Sequence, residues 1–137
     1  HVPKLKWVVK VDDDMVVRVQ SMEFFLQEHE PIQKPSVVGN IIYDSEVARD
    51  GKWKELPSYL QYTYPPWPQG SFGHVVSYHV ARFVAAQIDD LVEYQGEDTS
   101  LGIWINENKT MKESVRFMKT SRFHNEGNCH DASFLIV

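Results

Sequence analysis

The sequence has a single cysteine, Cys129, in 137 residues, which excludes an internal disulfide framework. It has no apolar run near the ~18 residues that a membrane-spanning helix needs. Positive charge is in deficit. Fourteen Lys and Arg stand against 19 Asp and Glu, for a net charge of −5. That balance argues against nucleic acid or an anionic membrane as the main partner. There is no Walker loop, no GxGxxG, no nucleophile elbow and no zinc-spaced Cys/His set. Internal repeats, low-complexity tracts and heptads are missing too. The chain opens at His1 without a signal-peptide pattern. Disorder is also excluded, because hydrophobic residues make up 42% and charged residues 24%. This length fits one domain with a moderate core.

What is present centres on Asp12-Asp13-Asp14. Residues 7–11, Trp-Val-Val-Lys-Val, read as a short buried strand running into the triplet, and residues 15–17 as a second extended segment. Adjacent carboxylates repel each other, and Asp is a poor strand former. A cation would relieve the repulsion, and hard divalent ions favour carboxylate oxygens. A solvated acidic turn explains the triplet equally well.

Residues 18–30 carry apolar side chains at helical spacing, ended by Pro31. Residues 37–43 read as a buried strand in which Gly39 marks a bulge or a close backbone approach. Four prolines and two glycines between 57 and 73 exclude a long helix there. Tyr59, Tyr62, Tyr64, Trp67 and Phe72 are interleaved with them. Aromatic faces on a stiff loop suit sugar stacking, and core packing is the competing role. Residues 74–77 read as extended, with Ser77 capping a helix that runs to Tyr94. A further helix starts at Glu97-Asp98 after Gly96. There Asp98 serves as a cap, as a general base beside a metal, or as both. Residues 112–137 read as two strands joined by a polar loop with His124 and His130. Asn108-Lys109-Thr110 is a glycosylation triplet. Both ends abut apparent core strands, so a fragment of a larger domain is expected.

Three motifs in order carry a resemblance: Lys10-Val11-Asp12-Asp13-Asp14, then Tyr64-Pro65-Pro66-Trp67 with Gly70 through Ser77, then Gly96-Glu97-Asp98-Thr99-Ser100-Leu101-Gly102-Ile103-Trp104. Together they resemble the β-1,3-galactosyltransferase family, glycosyltransferase family 31, which includes β-1,3-N-acetylglucosaminyltransferases and Fringe. The match covers residues 5–105. The loop departs from the family at Trp67-Pro68-Gln69, where relatives often carry an aromatic followed by Cys or Ala, and it is one residue longer before His74.

The resemblance implies an α/β fold of the GT-A-like glycosyltransferase type, a Rossmann-like mixed sheet flanked by helices. Only the C-terminal portion of that fold is expected here, as one partial domain over 1–137. It implies inverting, metal-dependent transfer of galactose or an N-acetylhexosamine from a UDP-sugar to a glycan hydroxyl in a β-1,3 linkage. By the same resemblance Asp14 is the direct Mn2+ ligand of a DxD motif, with Asp12 and Asp13 supporting metal and sugar nucleotide. Asp98 is the catalytic base, with Glu97 beside it. Trp67, Gly70 and Gly73 line the donor and acceptor cleft. The family's C-terminal metal histidine is His130, His124 or a residue past Val137. The expected setting is the lumenal side of the Golgi membrane, with an N-terminal type II anchor outside this chain and a glycan or glycoprotein as acceptor. The family's nucleotide-binding strands lie upstream of the triplet, so the isolated chain is expected to be inactive. A non-catalytic carbohydrate-binding module that keeps the aromatic cleft is the alternative, and a structural acidic turn in a scaffold is a third.

Overall fold

A computed structural model describes residues 4–29, 34–124 and 131–137. Four strands form a mixed sheet in the order β1 (Trp7–Lys10), β5 (His74–Ser77), β2 (Ser36–Gly39), β6 (Arg116–Lys119). β5 runs antiparallel to both β1 and β2, and β2 runs parallel to β6. Two short strands, β3 (Ile41–Ile42) and β4 (Trp67–Pro68), pair separately. The helices are α1 (Val19–Gln27), α2 (Tyr78–Ala86), α3 (Glu97–Glu107) and α4 (Lys109–Ser114).

Side chains on a strand alternate between faces, so a strand buried on both faces is apolar at every position. β2 and β5 are buried at every position, and their paired valines follow this rule while Ser36, His74 and Ser77 depart from it. Val38 and Val75 point into a cluster with Met22, Leu26, Phe123, Leu135 and Ile136. Val37 and Val76 point the other way, into a cluster with Ile41, Val80, Leu101, Ile105 and Met111. A third cluster joins Val47, Tyr59, Tyr64 and Ile103 beneath the proline-rich loop.

Several elements differ from expectation. β1 is an edge strand, and Val8 and Val9 are 37% and 39% exposed rather than buried. The strand expected over 37–43 breaks at Asn40, whose main-chain oxygen accepts a bond from the Gln69 N–H. Gly39 is indeed a close approach, since a Cβ there would lie 3.2 Å from the His74 Cβ. α2 stops at Ala86 instead of running to Tyr94. Asp89 and Asp90 would sit at its C-terminal end, where carboxylates oppose the helix dipole. Ile88 and Val92 are accordingly exposed. Ser77 precedes α2 without a side-chain cap bond, and its Oγ accepts from the Ser36 N–H of β2 instead. In the tail, residues 109–114 are helical and only β6 forms a regular strand. Asn108 caps α4, its Oδ1 accepting from the Met111 N–H at 3.0 Å.

Candidate active site

Four chain segments converge on a cavity of about 650 Å³: the end of β1 with Asp12, residues 45–53, the loop from Tyr64 to Ser71, and the start of α3 with Gln95 and Gly96 before it. α3 begins after Gly96, whose carbonyl accepts from the Ser100 N–H and from the Thr99 and Ser100 hydroxyls. Gly96 is the N-cap residue and no side-chain cap bond forms there, so Asp98 is not the cap expected from the sequence. Instead it lies in the first helical turn and reaches across to the loop. Its Oδ2 accepts from the Gly70 N–H at 2.8 Å and its Oδ1 from the Thr99 N–H at 2.8 Å. Burial lifts the Asp98 pKa above the usual aspartate value, against the pull of those two N–H groups. A carboxylate that is oriented and more basic than usual has the properties of a general base.

Gly70 has to be glycine for this geometry. A Cβ at that position would lie 2.7 Å from Glu97 Oε1 and 3.1 Å from Asp98 Oδ2. Gly73 has a different role. It takes φ +71 and packs against Val11 and Ile136, beneath the loop rather than on the cavity wall. Trp67 does line the cavity; its Nε1 donates to Ser45 Oγ at 2.9 Å.

Lys10 joins the two acidic motifs. Its Nζ lies 2.6 Å from Asp12 Oδ1 and 2.8 Å from Glu97 Oε1. Burial lifts Glu97, but the Lys10 ammonium outweighs it and holds Glu97 below the usual glutamate value. Burial acts downward on Lys10, and the two carboxylates overcome it, so its pKa is raised. His74, opposite Lys10 in the β1–β5 register, is buried, and its Nδ1 has no hydrogen-bond partner. Burial first, and then the Lys10 ammonium, lower it to about 4. It is therefore neutral at pH 7.

The triplet forms a turn closed by the Met15 N–H to the Asp12 carbonyl, and all three carboxylates are exposed. Asp12 faces the cavity, whereas Asp13 and Asp14 are not among its lining residues. Carboxylate oxygens open to solvent are the donor type that hard divalent ions favour. Among the described residues no three His, Cys, Asp or Glu converge as a ready-made metal site. His124 stacks on Phe134 at 4.5 Å and meets Phe72 edge-on, and His130 lies outside the described residues.

The five aromatics of the loop divide. Tyr59 and Tyr64 are core, stacked on each other at 5.7 Å, with the Tyr64 hydroxyl on Glu55. Phe72 packs against the first cluster, and Tyr62 is 89% exposed. Sequence reasoning gave no site role to several residues of the cavity, Lys10 and Trp53 among them. Lys10 reads as an ordinary strand lysine until the fold brings its ammonium to Glu97. Trp53 lines the cavity from outside the loop that drew attention.

Residues 1–116 match the galactosyltransferase family profile. The chain is 32% identical over 103 residues to UDP-GalNAc:beta-1,3-N-acetylgalactosaminyltransferase 2 of Xenopus laevis, covering 75% of this chain and 21% of that protein. It is 36% identical over 98 residues to the Danio rerio protein of the same name, covering 72% and 20%. Against hydroxyproline O-galactosyltransferase GALT6 of Arabidopsis thaliana the identity is 28% over 128 residues, covering 90% and 18%. The chain thus spans about a fifth of the length of these relatives. With the family profile covering most of its length, the chain belongs to the galactosyltransferase family, glycosyltransferase family 31.

Proposed function

We propose that this chain is the catalytic half of a GT-A glycosyltransferase domain that moves galactose or an N-acetylhexosamine from a UDP-sugar to a glycan hydroxyl, in a β-1,3 linkage and with inversion. One observation carries the reading. Lys10 ties the acidic turn to the start of α3, so Asp12, Glu97 and the half-buried Asp98 share one cavity. The relatives' names support the transferase class and the donor type.

In this reading the acceptor hydroxyl gives its proton to the Asp98 carboxylate. Gly70 and Thr99 hold that carboxylate in place through their N–H groups. The acceptor oxygen forms its bond to the anomeric carbon on the face opposite the diphosphate, and the bond from that carbon to the phosphate oxygen breaks. A single base suffices for inversion. Asp14, with Asp12 and Asp13, would hold Mn2+, with His130 or His124 as a further ligand. When bound there, the ion offsets the charge that develops on the departing diphosphate. Lys10 keeps Asp12 and Glu97 from repelling each other while the site awaits its donor. The proposed setting is the Golgi lumen, with a membrane anchor outside this chain. No helix among the described residues is long and apolar enough to cross a membrane.

The test is a panel of UDP-sugars with Mn2+ on the full-length protein, with Asp98→Ala and Asp14→Ala beside it. Loss of a general base should lower transfer by about 10²–10⁴-fold. Full activity in either variant would overturn the assignment.

A further inference from the structure

The geometry points to Trp53 as the platform on which the acceptor sugar stacks, a binding role that rests on the transfer reading above. The indole lines the same cavity as Asp98, yet it is 62% exposed and belongs to none of the three core clusters. The other aromatics near the cavity have other work. Tyr64 is buried with its hydroxyl on Glu55, and Trp67 donates to Ser45. Among the described residues Trp53 has no hydrogen-bond partner for its Nε1. Its one described partner is the Lys52 ammonium, 4.7 Å from the ring centroid. Lys52 sits over one face, and the residue as a whole stays largely open to solvent. A large aromatic surface kept in water beside a polar cavity suits a pyranose, which offers a patch of C–H groups to a π face and hydroxyls to the surrounding carboxylates.

The turn that carries Trp53 is fixed before any ligand arrives. The Lys54 N–H bonds the Gly51 carbonyl, and Gly51 takes φ +72. Two residues on, Glu55 is 2% exposed and accepts from the Leu56 N–H, the Gln95 N–H and the Tyr64 hydroxyl. Gln95 leads directly into Gly96-Glu97-Asp98. The platform and the base are therefore tied to one another through Glu55 and Gln95. The acceptor hydroxyl has to reach that base, so the tie favours the acceptor over the donor. It also lowers the entropic cost of binding, because the ring is already positioned.

The experiment is steady-state kinetics on the full-length enzyme with Trp53→Ala and Trp53→Phe. An exposed residue can be truncated without unfolding, and circular dichroism checks this. Trp53→Ala should raise the acceptor KM about tenfold, which corresponds to about 1.4 kcal/mol. It should leave the donor KM and acceptor-free UDP-sugar hydrolysis unchanged, and Trp53→Phe should recover most of the loss. An unchanged acceptor KM in Trp53→Ala overturns the proposal, and so does a rise confined to the donor KM. If the parent enzyme neither hydrolyses a UDP-sugar nor transfers, the transfer reading fails first. Direct titration of a glycan acceptor, followed by indole fluorescence, then decides the Trp53 site alone, and no change in affinity in Trp53→Ala overturns it.

Discussion

His74, on β5 opposite Lys10, is a buried imidazole without a partner for Nδ1 among the described residues. Its pKa is lowered to about 4, so as pH falls the unfolded chain takes up the proton first. The stability of the neutral form is complete above the unfolded value of 6.5 and drains away between 6.5 and about 4. The full span is worth about 3 kcal/mol at 1.36 kcal/mol per unit. Lys10, Glu97 and Asp12 face the ring electrostatically, and their charges are shared by parent and variant. His74→Phe should therefore flatten the pH dependence of urea unfolding over that window. An identical slope in both proteins would show that the imidazole is not the titrating group. Residues of this kind are illegible in a sequence. His74 follows a glycine in an apolar strand and looks like any strand histidine until burial removes its hydration.

Two glycines show how one deletion of a side chain serves different ends at the level of elements. Gly102 lies on α3 where it meets β4. A Cβ there would lie 2.6 Å from the Pro66 carbonyl oxygen and 2.8 Å from the Trp67 Cβ. Backbone cannot yield as a side-chain end can, so Gly102→Ala should lower the unfolding free energy by about 1–3 kcal/mol. At Gly70 the same methyl would meet only the tips of Glu97 and Asp98. Gly70→Ala should leave the urea midpoint nearly unchanged while cutting transfer, because Asp98 loses its setting. Equal destabilisation of the two variants would contradict this division. The motifs at both ends of this contact were visible in the sequence, since Tyr64-Pro65-Pro66-Trp67 and the Gly96–Trp104 block are distinctive runs. So was the periodicity of α1 and the start of α2. The end of α2 was hidden: the apolar spacing of Ile88, Leu91 and Val92 continues the helical pattern, while the fold leaves Ile88 and Val92 in water. Lys10 and Trp53 escaped notice because each owes its place to a long-range contact, the β1–β5 register for one and the Glu55–Gln95 tie for the other.

Across the whole molecule, exposed large apolar side chains are scattered, and three of them, Leu5, Val8 and Val9, lie on or beside the edge strand β1. An apolar edge strand is a template for pairing with another chain. The 137-residue chain on its own should therefore self-associate in light scattering, and Val9→Lys should reduce this without lowering thermal stability. Association unaffected by that charge would move the sticky surface elsewhere. The acidic site lies at the end of the same strand, so its preparation in soluble form depends on how that edge is managed.

The cap at Asn108 bears on how a glycan would be looked for. Asn108, Lys109 and Thr110 form an acceptor triplet, and Asn108 Oδ1 also holds the first turn of α4 through Met111. The usual substitution, Asn108→Gln, would remove a helix cap worth about 1 kcal/mol together with the attachment nitrogen. A drop in yield or activity would then be read as the loss of a sugar when a helix had frayed. Thr110→Ala breaks the triplet and leaves the cap in place. Enzymatic release that turns Asn into Asp does the same, because aspartate caps as well as asparagine.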